Sequence, residues 1–148
     1  MERSTMRILV VEDFEPYLTL VKSLLSGKSD FELIGTASDG AEAIAIAKRL
    51  RPDLILMDIG LPKLNGIAVA RHIHEFVPRS KIVFLTQETS VEIIQEVLNS
   101  GAWGYVFKAM AARDLLAALL AVRRGERFVS SHSIGGCFAS PEGPSRND

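Results

Sequence analysis

A single cysteine, Cys137, stands in 148 residues, so no internal disulfide can form and a reducing cytoplasm is the simplest setting. Long apolar runs are missing as well: the opening stretch MERSTMRILVVED meets two acids directly after its few apolar residues. It has neither the apolar core of a signal peptide nor the length of a membrane span, and no membrane partner is expected. Charge of one sign is not in excess. Lys plus Arg is 17 against 18 for Asp plus Glu, a formal net charge of -1. An unaided DNA-binding domain would normally carry a basic patch or stripe, so that class is disfavoured. The three histidines make no metal pair, because His72 and His74 are two apart on a helix and His132 lies in a polar tail. Neither GxGxxG nor GxxxxGK[ST] occurs, and the loop after the first apolar run, Glu12-Asp13-Phe14-Glu15, repels phosphate unless a metal intervenes. A flavin- or nucleotide-binding protein is therefore a weak reading. What is present, 47% hydrophobic and 24% charged residues, describes an ordinary globular chain long enough for one domain with a substantial core.

Short β-rich runs alternate with helical ones. Ile8-Leu9-Val10-Val11 reads as a buried strand, Glu15 to Ser26 as a helix, Phe31 to Ala37 as a second strand. Ser38-Asp39-Gly40 gives a cap-like start to a helix over Ala41 to Leu50, which Pro52 stops. Asp53 to Met57 is a third strand run ending at Asp58; Gly60 and Pro62 mark a loop, and a helix follows from Gly66 to Phe76. Lys81 to Leu85 is a fourth strand with Thr86 at its end, Ser90 to Asn99 a helix, Tyr105 to Phe107 a fifth strand, and Ala111 to Arg124 the last helix. Five strands alternating with five helices imply right-handed βαβ units, hence a doubly wound α/β fold with a parallel sheet covered on both faces. In such sheets sites form beyond the carboxyl ends of the strands. The residues at those ends are Glu12 and Asp13, Asp58, Thr86 and Lys108.

Three carboxylates brought together there repel one another. A hard divalent cation such as Mg2+ relieves this, with Asp13 and Asp58 as direct ligands and Glu12 acting directly or through water. A backbone carbonyl just after Asp58 would add another oxygen. Lys108 supplies a fixed positive charge on the opposite side. A carboxylate held between Mg2+ and an ammonium is placed to attack phosphorus and form an acyl phosphate, while the Thr86 hydroxyl can bond the phosphoryl group. Taken singly each residue has a plainer role: Asp58 as a loop aspartate, Glu12 or Asp13 as a helix cap, Lys108 as a solvated lysine, Trp103 as packing.

VVED at 10–13, MDIGLPKLNG at 57–66, LT at 85–86 and GYVFK at 104–108 resemble the response-regulator receiver family of two-component signalling, in its NarL/LuxR-type branch, over roughly residues 6–128. The resemblance implies a flavodoxin-like (βα)5 fold with strand order 2-1-3-4-5. It implies Asp58 as phosphoacceptor, Glu12 and Asp13 as metal-binding acids, Gly60 as the residue whose carbonyl binds the metal, and Mg2+ as the cofactor. Thr86 would be the switch hydroxyl, Tyr105 the switch aromatic and Lys108 the phosphate-binding lysine. A sensor histidine kinase or phosphotransfer protein would be the donor, and the chain a phosphoacceptor switch rather than an enzyme in the ordinary sense. Three positions depart from the commonest pattern: Glu12 stands where Asp is usual, Gln87 follows Thr86, and Ala109 follows Lys108 where proline is common.

A phosphatase of the haloacid-dehalogenase type resembles this chemistry but has a second Asp two residues after its nucleophile, where this chain has Gly60. A phosphorylation-independent pseudo-receiver is the remaining alternative. Leu115, Leu116, Leu119, Leu120 and Val122 make a wide stripe on the last helix, read either as core or as a homodimer surface with the first helix. A dimer through the face of the fourth helix, fifth strand and last helix is the other expectation. Residues 1–128 are read as the receiver domain and 129–148, rich in Ser, Gly and Pro, as a flexible tail or the start of a linker. RRGERFVSS at 123–131 resembles the run between receiver and output domain in LuxR-type regulators, so DNA would be reached only through an output domain outside this chain.

Overall fold

The structure, a computed structural model, describes residues 5–87 and 90–130. The elements run β1 (Met6–Val11), α1 (Glu15–Leu25), β2 (Phe31–Ala37), α2 (Gly40–Leu50), β3 (Leu54–Asp58), α3 (Gly66–Phe76), β4 (Lys81–Thr86), α4 (Val91–Asn99) and β5 (Gly104–Phe107). A 3-10 turn (Lys108–Met110), α5 (Ala111–Arg123) and β6 (Phe128–Val129) are the last elements among the described residues. All strand pairs are parallel, in the order β2-β1-β3-β4-β5-β6. The expected order 2-1-3-4-5 is thus observed, with one further strand on the β5 edge.

Alternation along the strands builds a core on each face of the sheet, because successive side chains point to opposite sides. Leu9, Val11, Ile55, Met57, Phe84, Tyr105 and Phe107 pack with α2, α3 and α4. Ile8, Val10, Leu54, Leu56, Val83, Leu85 and Val106 pack with α1 and α5. Leu115, Leu119 and Val122 of α5 are fully buried, whereas Leu116 and Leu120 are only partly so. The width of the α5 stripe is therefore mostly core.

Local chemistry sets the helix starts. Asp39 accepts from the Glu42 amide at 2.9 Å while Glu42 accepts from the Ser38 amide at 2.8 Å, a reciprocal cap on α2. Asn65 and Ser90 cap α3 and α4 through the amides of Ile67 and Ile93. For α1 the plainer alternative, a cap from Glu12 or Asp13, is not what the structure shows. Phe14 is the cap residue and no side chain caps the helix, so Asp13 is left outside that role.

β1 is flanked by β2 on one side and β3 on the other. Chain direction around the sheet reverses between them, and the crevice at their carboxyl ends is where such folds bind ligands. Glu12, Asp13 and Asp58 stand there.

The packed chain also continues beyond residue 128. Phe128 and Val129 pair with Gly104 and Tyr105, and Ser130 is fully buried. Its hydroxyl donates to Asp114 Oδ2 at 2.6 Å and accepts from the Phe107 amide at 3.2 Å. Val129 and Ser130, the first residues of the tail expected over 129–148, thus belong to the packed chain, and residues 131–148, with Cys137 and His132, lie outside the described residues. Burial works against ionised Asp114, but its hydrogen bonds to Arg113 and Ser130 prevail and hold it below its ordinary value of 3.8. A depressed carboxylate contributes stability above its unfolded value, and loses it as pH falls through the folded one. Asp114→Asn is expected to cost about 1–2 kcal/mol at neutral pH. In urea unfolding, the gap to wild type should narrow below pH 3.8; a gap independent of pH would contradict the assignment.

Candidate phosphoacceptor site

Asp58 ends β3 with 6% of its surface exposed. Its Oδ1 accepts from the Gly60 amide at 3.0 Å, and its Oδ2 lies 3.3 Å from Lys108 Nζ. The loop that follows is held close: Ile59 N donates to Leu85 O at 3.2 Å, and Gly66 N to Ile59 O at 2.8 Å. Gly66 touches this turn so tightly that a Cβ there would collide with the Asp58 carbonyl oxygen and stand 2.8 Å from Ile59 Cα. Gly66 thus fixes the backbone of Asp58, a close approach not read from the sequence, where Gly66 closes the MDIGLPKLNG run and starts a helix. Gly60 is exposed, and its amide donates to Asp58 Oδ1.

Lys108 reaches into the same crevice from the turn after β5, although 96 residues separate it from Glu12. Its Nζ donates to Glu12 Oε2 at 3.1 Å and lies 2.9 Å from Oε1. The Tyr17 ring covers another side of the ammonium at 4.6 Å. Burial alone would lower the lysine, but Glu12 and Asp58 outweigh it and hold it above its ordinary value. Glu12 is raised above its ordinary value because burial, reinforced by Asp58, outweighs Lys108. The Glu12 side chain is 0% exposed, and Oε2 also accepts from the Phe14 amide.

Thr86 is buried at the end of β4, in register with Phe107. Tyr105 pairs with Phe84 two residues earlier along the same strands and is 1% exposed, its ring 5.4 Å from that of Phe107. Burial pushes its phenol up to about 12. Gln87 is exposed beside the site, and no cis peptide occurs among the described residues, the Lys108–Ala109 bond included. Trp103 is half-buried away from the site, between Lys81 and Arg127. His72 stacks on Phe76 and stays exposed.

One oxygen from each of Glu12, Asp13 and Asp58 lies within 4.8 Å of the others. Three carboxylates against the one ammonium of Lys108 leave two negative charges in the crevice when all are ionised. Glu12 Oε1 is buried without a hydrogen bond, since its approach to Lys108 is an ion-pair contact lacking hydrogen-bond geometry. Hard oxygen donors, excess negative charge and an unsatisfied buried oxygen fit a hard divalent cation.

Comparison with known proteins agrees with this geometry. The response regulator receiver domain model matches residues 8–120. The response regulator VraR of Staphylococcus aureus is 34% identical over 122 residues, which cover 82% of this chain and 58% of VraR. A LuxR-family two-component response regulator from Aurantimonas sp. SI85-9A1 superposes with a TM-score of 0.79 at 28% identity, over 84% of this chain and 89% of that one. The isolated receiver of RcsB from Salmonella enterica, solved with the phosphomimetic BeF3-, shares the fold with a TM-score of 0.80 at 24% identity, over 84% of this chain and 93% of its own. The chain belongs to the response regulator receiver family of two-component signalling, with NarL/LuxR-type relatives. It spans a little over half the length of the curated relatives it matches. No helix among the described residues is long and apolar enough to cross a membrane.

Proposed function

We propose that this receiver accepts a phosphoryl group on Asp58, from a sensor histidine kinase or phosphotransfer protein, in a Mg2+-dependent reaction. The observation that carries the reading is Asp58 itself: one oxygen is fixed by the Gly60 amide, the other by the Lys108 ammonium, beside two further acids. Asp13, Asp58 and Glu12 would hold the cation, with the Gly60 carbonyl as a further oxygen donor. Bound there, Mg2+ would neutralise charge on the transferring group. Asp58 attacks phosphorus, the bond to the donor's leaving group breaks, and an acyl phosphate results. Lys108 is the protein's own cation for the phosphoryl oxygens, and Thr86 offers a hydroxyl. Tyr105, buried among Phe84 and Phe107, is the aromatic whose repacking would follow Thr86.

Output belongs to a surface. Leu20, Leu24, Leu116 and Leu120, partly buried where α1 meets α5, suit a homodimer face, and exposed Val91 and Leu98 mark α4 as the other. DNA contact would require an output domain outside this chain, and the receiver would work in the cytoplasm. Acetyl phosphate with Mg2+ is expected to give a protein-bound phosphate that hydroxylamine releases, as an acyl phosphate must. No incorporation from acetyl phosphate or from any histidine kinase would leave a phosphorylation-independent interaction module.

A further inference from the structure

The polypeptide leaving α5 does not simply depart. It returns as β6 along the open edge of β5, the strand that leads into Lys108. Phe128 N donates to Trp103 O and Ser130 N to Tyr105 O, both at 3.0 Å, and the Phe107 amide donates to Ser130 Oγ at 3.2 Å. The Ser130 hydroxyl is fully buried and donates to Asp114 Oδ2 at 2.6 Å. Asp114 is in turn gripped by Arg113 through both oxygens, at 2.6 and 2.9 Å. A separate observation points to the same design. Gly104 has no room for a side chain, because the Phe128 backbone oxygen occupies the place a Cβ would take. Arg127, lying over the Trp103 ring at 4.7 Å, adds a third hold.

We propose that β6 is a latch whose closure is coupled to the occupancy of Asp58, so that modification of the site loosens Phe128 to Ser130 from the β5 edge. The inference rests on the phosphoacceptor reading above. Its physical path is short. Phe107, the residue that donates to Ser130, is bonded directly to Lys108, whose ammonium now sits on Glu12 and Asp58. Drawing that ammonium towards a phosphoryl group pulls on the peptide next to the latch. Tyr105 is held by the latch too, through its carbonyl. The coupling must be reciprocal: if a filled site opens the latch, an open latch must favour the filled site by the same factor.

The test uses Mg2+ and beryllofluoride on wild type, Ser130→Ala and Gly104→Ala, with hydrogen exchange read at the Phe128 and Ser130 amides and beryllofluoride affinity read by titration. Both variants are expected to speed exchange at the two amides about tenfold, by different routes, and to bind beryllofluoride about threefold or more tighter. In wild type, beryllofluoride should speed exchange at the same amides. Exchange unprotected in wild type, or affinity unchanged in variants whose latch is open, would overturn the latch. If wild type takes up no beryllofluoride while the variants still speed exchange, the coupling fails through the phosphoacceptor reading and β6 is only a structural strand.

Discussion

Lys108→Met is expected to lower stability by about 3 kcal/mol, because it strands Glu12 as a buried carboxylate facing Asp58 with its cation gone. The cost is not the worth of a salt bridge. Burying two charges nearly cancels their attraction, whereas leaving one without a partner incurs the desolvation term alone. The double variant Glu12→Gln/Lys108→Met should therefore recover most of the loss in urea unfolding. Phosphoryl acceptance should behave differently. Without the ammonium it is expected to fall on the order of a hundredfold, and Glu12→Gln should not restore it, since a neutral amide supplies no charge to the phosphoryl oxygens. A Lys108→Met protein as stable as wild type would show that Glu12 is satisfied by something other than this lysine.

Gly66→Ala is the second large effect. The added methyl group would meet backbone on three atoms, the Asp58 oxygen, Ile59 Cα and, at 3.1 Å, the Asp58 carbonyl carbon. None of these can swing aside as a side chain would, so the turn must shift. We expect a loss of about 3 kcal/mol, at the upper end of overpacking costs, with acceptance by Asp58 reduced about tenfold because its backbone moves with the turn. Gly60→Ala is the control. A Cβ there would find only Asp58 Oδ1 at 3.9 Å, an ordinary contact, and stability should scarcely change. Equal losses from both glycines, measured by thermal or urea unfolding, would contradict the close-approach account.

The strands and helices were legible because burial writes itself into the chain with two periods. Ile8 to Val11 alternate between the two cores one residue at a time, and the 3.6-residue spacing of α1 and α5 marks their inner faces. The strand-end residues were legible as a set for the same reason: once the elements are placed, parallel topology delivers Glu12, Asp13, Asp58, Thr86 and Lys108 to one edge. The pairing of Glu12 with Lys108 was not. That Glu12 lies against Lys108 as well as the other acids depends on side-chain reach across 96 residues of chain. β6 escaped notice because two residues, Phe128 and Val129, carry no periodicity, and Ser130 looks like any tail serine until Asp114 is seen beside it. Gly66 and Gly104 escaped because the backbone they make room for is distant or unreadable in the sequence.

Intact mass after incubation with acetyl phosphate, on wild type and Asp58→Asn, with and without Mg2+, tests the central claim most directly. The account predicts one added phosphoryl group on wild type in Mg2+, little without the metal, and none on Asp58→Asn. An Asp58→Asn protein that gains the same mass as wild type would contradict it.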